Sequence, residues 1–224
     1  MGADTDVVIF GTGSLAVLAH TYLTADSDFR PIAFAVDAEY LDRNERLGLP
    51  VVAAERLLET YPPDRASMLV AVGYRRVNRG RIEVYQRCKD MGYRCITYVN
   101  SSVFRWPNVD IGDNTFIFEA VVLQPFVKIG SNCVLWSGCQ ILHESVIEDH
   151  CFVGSQAVIG GNVTVGAASF IGLNATIRDH LRIAPSSVMG AGALIKKHTT
   201  EGGVYPPRST EIHPSKVSSD LDDL

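Results

Sequence analysis

The feature that most restricts what this chain can fold into is a period of six. From Ile111 onward every sixth residue is aliphatic: Ile117, Leu123, Ile129, Leu135, Ile141, Ile147, Val153, Ile159, Val165, Ile171, Ile177, Ile183, Met189 and Ile195, with no insertion or deletion. The residue four places after each is usually small (Thr115, Cys133, Cys139, Ser145, Cys151, Ala157, Ser169, Ala175, Ser187, Ala193). Valine stands there at 121, 127 and 163, and Leu181 is the exception. Six fits neither a helix at 3.6 nor a strand at 2, and a β-sandwich would show alternation broken by turns every 8 to 12 residues. The reading that remains is a parallel β-helix of hexapeptides. Each hexapeptide makes one side of a triangular prism, three close a coil, and the run holds about five coils with aliphatic side chains stacked along the axis.

Residues eighteen apart then share a column on the prism surface, at the strand spacing of about 4.7–4.9 Å. His143 lies two places past the inward Ile141, so it falls on the outer surface, and Glu144 follows it. Imidazole titrates near neutrality and serves as a general base. Gly161 belongs to the same column one coil on, where a bare backbone amide faces the same ligand. His180 falls one residue past that column. His20, His150, His198 and His213 read as surface histidines without a role. Cys133, Cys139 and Cys151 occupy the small interior slot, where a reduced thiol is a compact apolar filler.

The first hundred residues have a different pattern. Apolar strands at 6–10, 31–36 and 68–72, a short apolar piece at 50–52 and a closing strand at 95–99 alternate with helices at 14–23, 54–61 and 79–91. This implies a small parallel sheet of βαβ units. Its first turn, Gly11-Thr12-Gly13-Ser14, is of the kind that lets backbone amides approach a phosphate, and Asp37 ends the second strand, where a ribose hydroxyl is met. NAD is one candidate, but a lone Gly-rich turn is a weak signal and the region is short for two mononucleotide halves. A tight turn without ligand also fits. The expected boundaries are 1–100 for a Rossmann-like nucleotide-binding domain, 101–210 for the β-helix and 211–224 for a polar tail. Trp106 and Pro107 are expected to cap the first coil.

A small βαβ domain followed by a hexapeptide prism resembles the sugar N-acyltransferases of the bacillosamine and perosamine N-acetyltransferase group, over about residues 6–205. The resemblance implies a left-handed β-helix, a homotrimer, acetyl-CoA as cosubstrate and a nucleotide-linked amino sugar as acceptor. It also implies that His143 is the base, that Glu144 orients it and that Gly161 donates to the oxyanion. The nucleotide falls to Gly11, Gly13, Asp37, Gly73, Arg76 and Asn78, and acetyl-CoA to Gly161, His180 and Ala191. Two departures touch the acceptor: Leu15 and Phe152 stand where the family commonly has histidines.

Composition narrows the alternatives. A net charge of −5 without basic runs argues against a nucleic-acid binder, and the absence of an apolar run of membrane length or a leader argues for a cytoplasmic chain. A sugar O-acyltransferase would use the same base and groove. A prism-built zinc enzyme would need three converging histidines, and a non-catalytic nucleotide-binding protein would bind without turnover.

Overall fold

The computed structural model describes residues 5–207, so the expected tail and His213 lie outside the described residues. The N-terminal sheet comprises β1 (Asp6–Phe10), β2 (Arg30–Val36), β3 (Glu45–Arg46), β4 (Leu49–Ala53) and β5 (Ser67–Val70), in the order β3-β4-β2-β1-β5. All pairs are parallel except β3 with β4. Helices α1 (Ser14–Asp26), α2 (Leu57–Thr60) and α3 (Arg79–Asp90) complete the unit.

Helix α1 is apolar on two sides because it is covered on two sides. Ala16, Ala19 and Leu23, at helical spacing, are buried in the same cluster as Val7 and Ile9 of the sheet. Leu15, Leu18 and Tyr22 join that cluster together with Phe116, Phe118, Val134 and Phe152 of the prism. The opposite face of the sheet packs Val8, Phe10 and Met68 with Tyr85 and Cys88 of α3.

The hexapeptide region is a left-handed parallel β-helix, the hand opposite to ordinary parallel crossovers. Two-residue rungs end on the periodic aliphatic positions and pair eighteen residues on, as in Lys128↔Asp110 and Ile129↔Ile111. Three sheets form the faces. Face 1 carries the rungs from Tyr98–Val99 to Val204–Tyr205, face 2 those from Phe104–Arg105 to Leu194–Ile195, and face 3 those from Asp110–Ile111 to Arg182–Ile183. With two rungs ahead of Ile111 and one past Ile195, at Val204–Tyr205, the prism is a coil longer than the six-residue count alone suggests. Its core is the aliphatic column with the small-slot residues, and all five cysteines are buried and unbridged.

Two expectations change. The segment 95–99 does not close the N-terminal sheet: Cys95 makes a single bridge to Met68, while Tyr98–Val99 pairs with Phe116–Ile117 as the first rung of face 1. Trp106 does not cap the prism; it stands half exposed beside Phe104, and its amide bonds the Leu123 carbonyl in the ladder. No described helix is long and apolar enough to cross a membrane.

A polar seam joins the two units where face 3 turns into face 1. Asn114 accepts from the Val70 amide (2.7 Å) and donates to Asn132 Oδ1 (2.8 Å), and Asn132 Nδ2 lies 3.0 Å from His150 Nδ1. Arg81, fully buried, donates to the carbonyls of Asn132 (3.2 Å), His150 (2.9 Å) and Cys151 (3.2 Å) and to Asn78 Oδ1 (3.1 Å). Burial lowers its pKa to about 10, which leaves it cationic at neutral pH. Lys89 and Tyr85 complete the seam on Asp113 (2.7 and 2.6 Å).

Candidate active site

His143 and Glu144 form the corner between faces 2 and 3. The three-residue phase after each aliphatic position is a left-handed turn, and Glu144 occupies it with φ 58°. The turn is pinned from below, where Gln124 Oε1 accepts the His143 amide (3.0 Å) and the Pro125 carbonyl accepts the Glu144 amide (3.0 Å). Glu144 Oε2 lies 3.2 Å from His143 Nδ1 and accepts from Asn162 Nδ2 at 3.4 Å. A carboxylate can only accept, so in the neutral ring this contact selects the tautomer with the proton on Nδ1 and the lone pair on Nε2. The His143 side chain is half exposed, and a base here is open to a bound molecule.

Gly161 sits directly against that ring. A Cβ at this position would lie 2.6 Å from His143 Cε1 and Nε2 and 3.1 Å from Nδ1, so the imidazole occupies the space that any side chain would need. The Gly161 carbonyl accepts from the His180 amide (2.9 Å), while its own amide has no acceptor among the described residues. His180 follows in the same corner, with Nε2 3.7 Å from Asp179 Oδ2.

The structure does not bring Ala191 to this corner. It lies two places past Met189 on the corner between faces 1 and 2, a different edge of the same prism.

The Gly-rich turn is built by contact. Gly11, at φ +124°, places its α-carbon so that a Cβ would meet the Ala71 carbonyl oxygen at 2.7 Å, so only glycine fits. Gly13 is the N-cap residue of α1 and has open space around it, and Gly73, in the loop after β5, has open space too. Asp37 directly follows β2 and its Oδ1 is held by Arg87. Arg76 is exposed and pairs with Glu83 at 3.3 Å.

Asn78 is not placed with these residues. It is fully buried in the polar seam, where its amide donates to the carbonyls of Ala168 and Ser169 (3.4 and 3.2 Å) and its Oδ1 accepts from Arg81. Its role is to fasten the loop to the prism. His150, expected at the surface, is half buried in the same seam against Tyr85 (5.7 Å between rings), and burial lowers its pKa. Phe152 is buried too, stacked on Phe170 (5.0 Å, 14°) and covered by Tyr74 (4.9 Å).

Sequence reasoning missed Asn162 and Gln124, which steady the His143–Glu144 corner. Asn162 is Glu144 plus eighteen and was findable by the column rule. Arg81 carried no signal, because an arginine in the first turn of a helix reads as a solvated charge.

A model of the bacterial transferase hexapeptide (six repeats) matches residues 108–143. By sequence, no curated protein matches the chain. Among solved structures it is similar to the acetyltransferase domain of PglB from Neisseria gonorrhoeae FA1090 (21% identity, TM-score 0.81, covering 90% of this chain and 96% of that one). It is also similar to PerB from Caulobacter crescentus, solved in complex with CoA and GDP-perosamine (24% identity, TM-score 0.81, 90% and 94%). WeeI from Acinetobacter baumannii AYE is a further likeness (17% identity, TM-score 0.55, 88% and 94%). At these identities the likeness shows the fold, a βαβ unit joined to a left-handed hexapeptide prism.

Proposed function

We propose that this chain is a cytoplasmic, acetyl-CoA-dependent N-acetyltransferase acting on a nucleotide-linked amino sugar, assembled as a homotrimer. The observation that carries the reading is the His143 ring lying on bare Gly161 with its Nδ1 held by Glu144. The relatives of like fold support it, since PerB was solved with CoA and a nucleotide-linked amino sugar.

In this reading the acceptor amine attacks the thioester carbonyl, and His143 Nε2 takes its proton as the C–N bond forms. The Gly161 amide donates to the developing oxyanion, and the intermediate collapses by breaking the C–S bond. The proton then passes from His143 to the departing CoA thiolate. A positioned base contributes about 10²- to 10⁴-fold, and one oxyanion donor about 2.7–4 kcal/mol.

The architecture supports a site shared between copies. The Gly-rich turn sits on the unit packed over face 1, whereas His143 is at the edge opposite that face. One chain cannot bring them together, and a closed ring of copies can. Face 2 is suited to the contact: Phe104, Val122, Val158 and Leu194 point outward from its rungs, while face 3 presents Asp110, Lys128 and Arg182. Pairing one prism's corner at Ala191 with the next one's corner at His143 gives a groove for acetyl-CoA along Gly161 and His180. Gly11, Gly13, Asp37, Gly73 and Arg76 take the nucleotide.

The test is turnover. Acetyl-CoA is supplied with UDP-, dTDP- and GDP-linked amino sugars, and thiol release and acceptor mass are followed. One nucleotide class should be acetylated on nitrogen. Acetylation on a hydroxyl instead would establish the O-acyltransferase alternative, and nucleotide binding without any turnover would overturn the enzymatic reading.

A further inference from the structure

The corner that carries His143 is fastened from the coil below by Gln124, whose Oε1 accepts the His143 amide at 3.0 Å. A backbone amide can only donate, so this bond fixes which end of the carboxamide is which. The NH2 end is held with it, and its two donors have no partner among the described residues.

The fastening does not itself need a carboxamide. At the neighbouring corner the amide of Ala167, two places past Val165 as His143 is two past Ile141, is held by Glu148 Oε2 at 2.9 Å, in the same relation of 19 residues. An acceptor oxygen suffices there. At the His143 corner the chain uses a side chain that makes the same bond and brings a donor with it.

The surroundings of that donor suit a small molecule. Phe126, two residues on, and Trp106, one coil below in the same column, both stand exposed, and Gln124 itself is half-buried. An apolar wall with a few fixed polar groups is how ligands are oriented. The height of Gln124 on the prism sets it apart from the acetyl-CoA groove. Gly161 and His180 follow His143 in later coils, whereas Gln124 precedes it, near the level of Phe116 and Phe118, on which the N-terminal unit packs. In a closed ring of parallel prisms the next copy's N-terminal unit stands at the same level. The acceptor therefore reaches His143 past Gln124, and the thioester from the opposite side.

From this juxtaposition we propose that Gln124 reads the acceptor: its Nε2 donates to a hydroxyl next to the amine that His143 deprotonates, so that the enzyme selects an amino sugar with a hydroxyl flanking the reacting nitrogen. The inference rests on the acceptor reading above and deepens it. The reach agrees. The carboxamide is bonded to the backbone of His143 itself, and a hydroxyl flanking an amine on a sugar ring is about one hydrogen-bond length, roughly 3 Å, from it.

The experiment combines protein variants with acceptor analogues. kcat/KM is measured for wild type, Gln124→Met and Gln124→Ala, with circular dichroism and size-exclusion chromatography establishing fold and assembly. The acceptors are the UDP-, dTDP- or GDP-linked amino sugar that wild type acetylates and analogues in which each hydroxyl next to the amine is in turn replaced by hydrogen. Wild type should prefer the parent over one analogue by about tenfold, the worth of a hydrogen bond whose loss leaves a donor unpaired. Both variants should lose kcat/KM, because the His143 amide loses its acceptor, and the preference should fall to near unity. A loosened base slows parent and analogue alike, so the ratio reports the contact. A tenfold preference retained in either folded variant would overturn the inference and leave the acceptor reading standing, as would a wild type that treats parent and analogues alike. Wild-type protein that acetylates none of these sugars on nitrogen would overturn both.

Discussion

Replacing Gly161 by alanine isolates the contact on which the candidate site is built. The added methyl would lie 2.6 Å from two atoms of the His143 ring. Ordinary carbon contact begins near 3.5 Å, so the ring must retreat by roughly an ångström, and the 3.2 Å bond from Nδ1 to Glu144 is disturbed with it. The obstructing atoms are the end of a half-exposed side chain and the Gly161 φ is not left-handed, so the fold should accept the change. The amide that faces the oxyanion is retained. A misplacement of about 1 Å at a reacting group costs on the order of 10²-fold, which is the expected loss in kcat/KM for the acceptor, with Tm nearly unchanged. In a His143→Ala background the same substitution should cost far less, because the group it displaces is gone. Full activity in Gly161→Ala, or an undiminished penalty in the double variant, would refute the ring-on-glycine geometry as the working arrangement.

Three further outcomes are expected. Asn78→Ala should cost about 1–3 kcal/mol in urea unfolding, since buried Arg81 loses an acceptor; no change would remove the seam from the list of what joins the two units. His150 has its pKa lowered by burial, so the unfolded chain binds the proton more readily than the folded one, and stability should fall as pH drops below about 6.5. His150→Asn, which continues the Asn114–Asn132 column in a turn that asparagine tolerates, should flatten that fall, and an unchanged pH profile would clear His150 of it. Asp37→Ala should raise the acceptor's KM more than that of acetyl-CoA. Co-assembled with His143→Ala it should regain activity, because a mixed oligomer contains some intact sites; no recovery in demonstrably mixed oligomers would count against a site shared between copies.

The prism was legible because its constraint is local and repeated: an aliphatic residue every six positions and a small one four later say where each side chain points. Column arithmetic carried this as far as Gly161 one coil past His143, a contact between residues eighteen apart. The left-handed turn three places after each aliphatic was also written in the chain, as Asn114, Asn132, Asn162, Asn174, Gly138 and Gly192, residue types that tolerate positive φ. It went unread because Ala120, Phe126, Glu144 and Ala168 share the phase and obscure the preference.

What was not legible depends on the packing of one unit on the other. Asn78 reads as a loop residue ready for a ligand, and only docking of the loop on the corner at Ala168 shows it buried. Phe152 sits on an outward phase and looks exposed, yet Tyr74 of the N-terminal unit covers it. Tyr98–Val99 has the apolar character of a sheet strand, and its partner is decided by Phe116–Ile117 of the prism.

The central claim is that His143 removes the acceptor's proton, and the most direct measurement is kcat/KM of His143→Ala across pH with acetyl-CoA and the preferred nucleotide-linked amino sugar. The expected result is a loss of about 10²- to 10⁴-fold at neutral pH, with acetyl-CoA binding intact and part of the loss recovered as rising pH deprotonates the amine in solution. A variant with wild-type kcat/KM at neutral pH would contradict the claim.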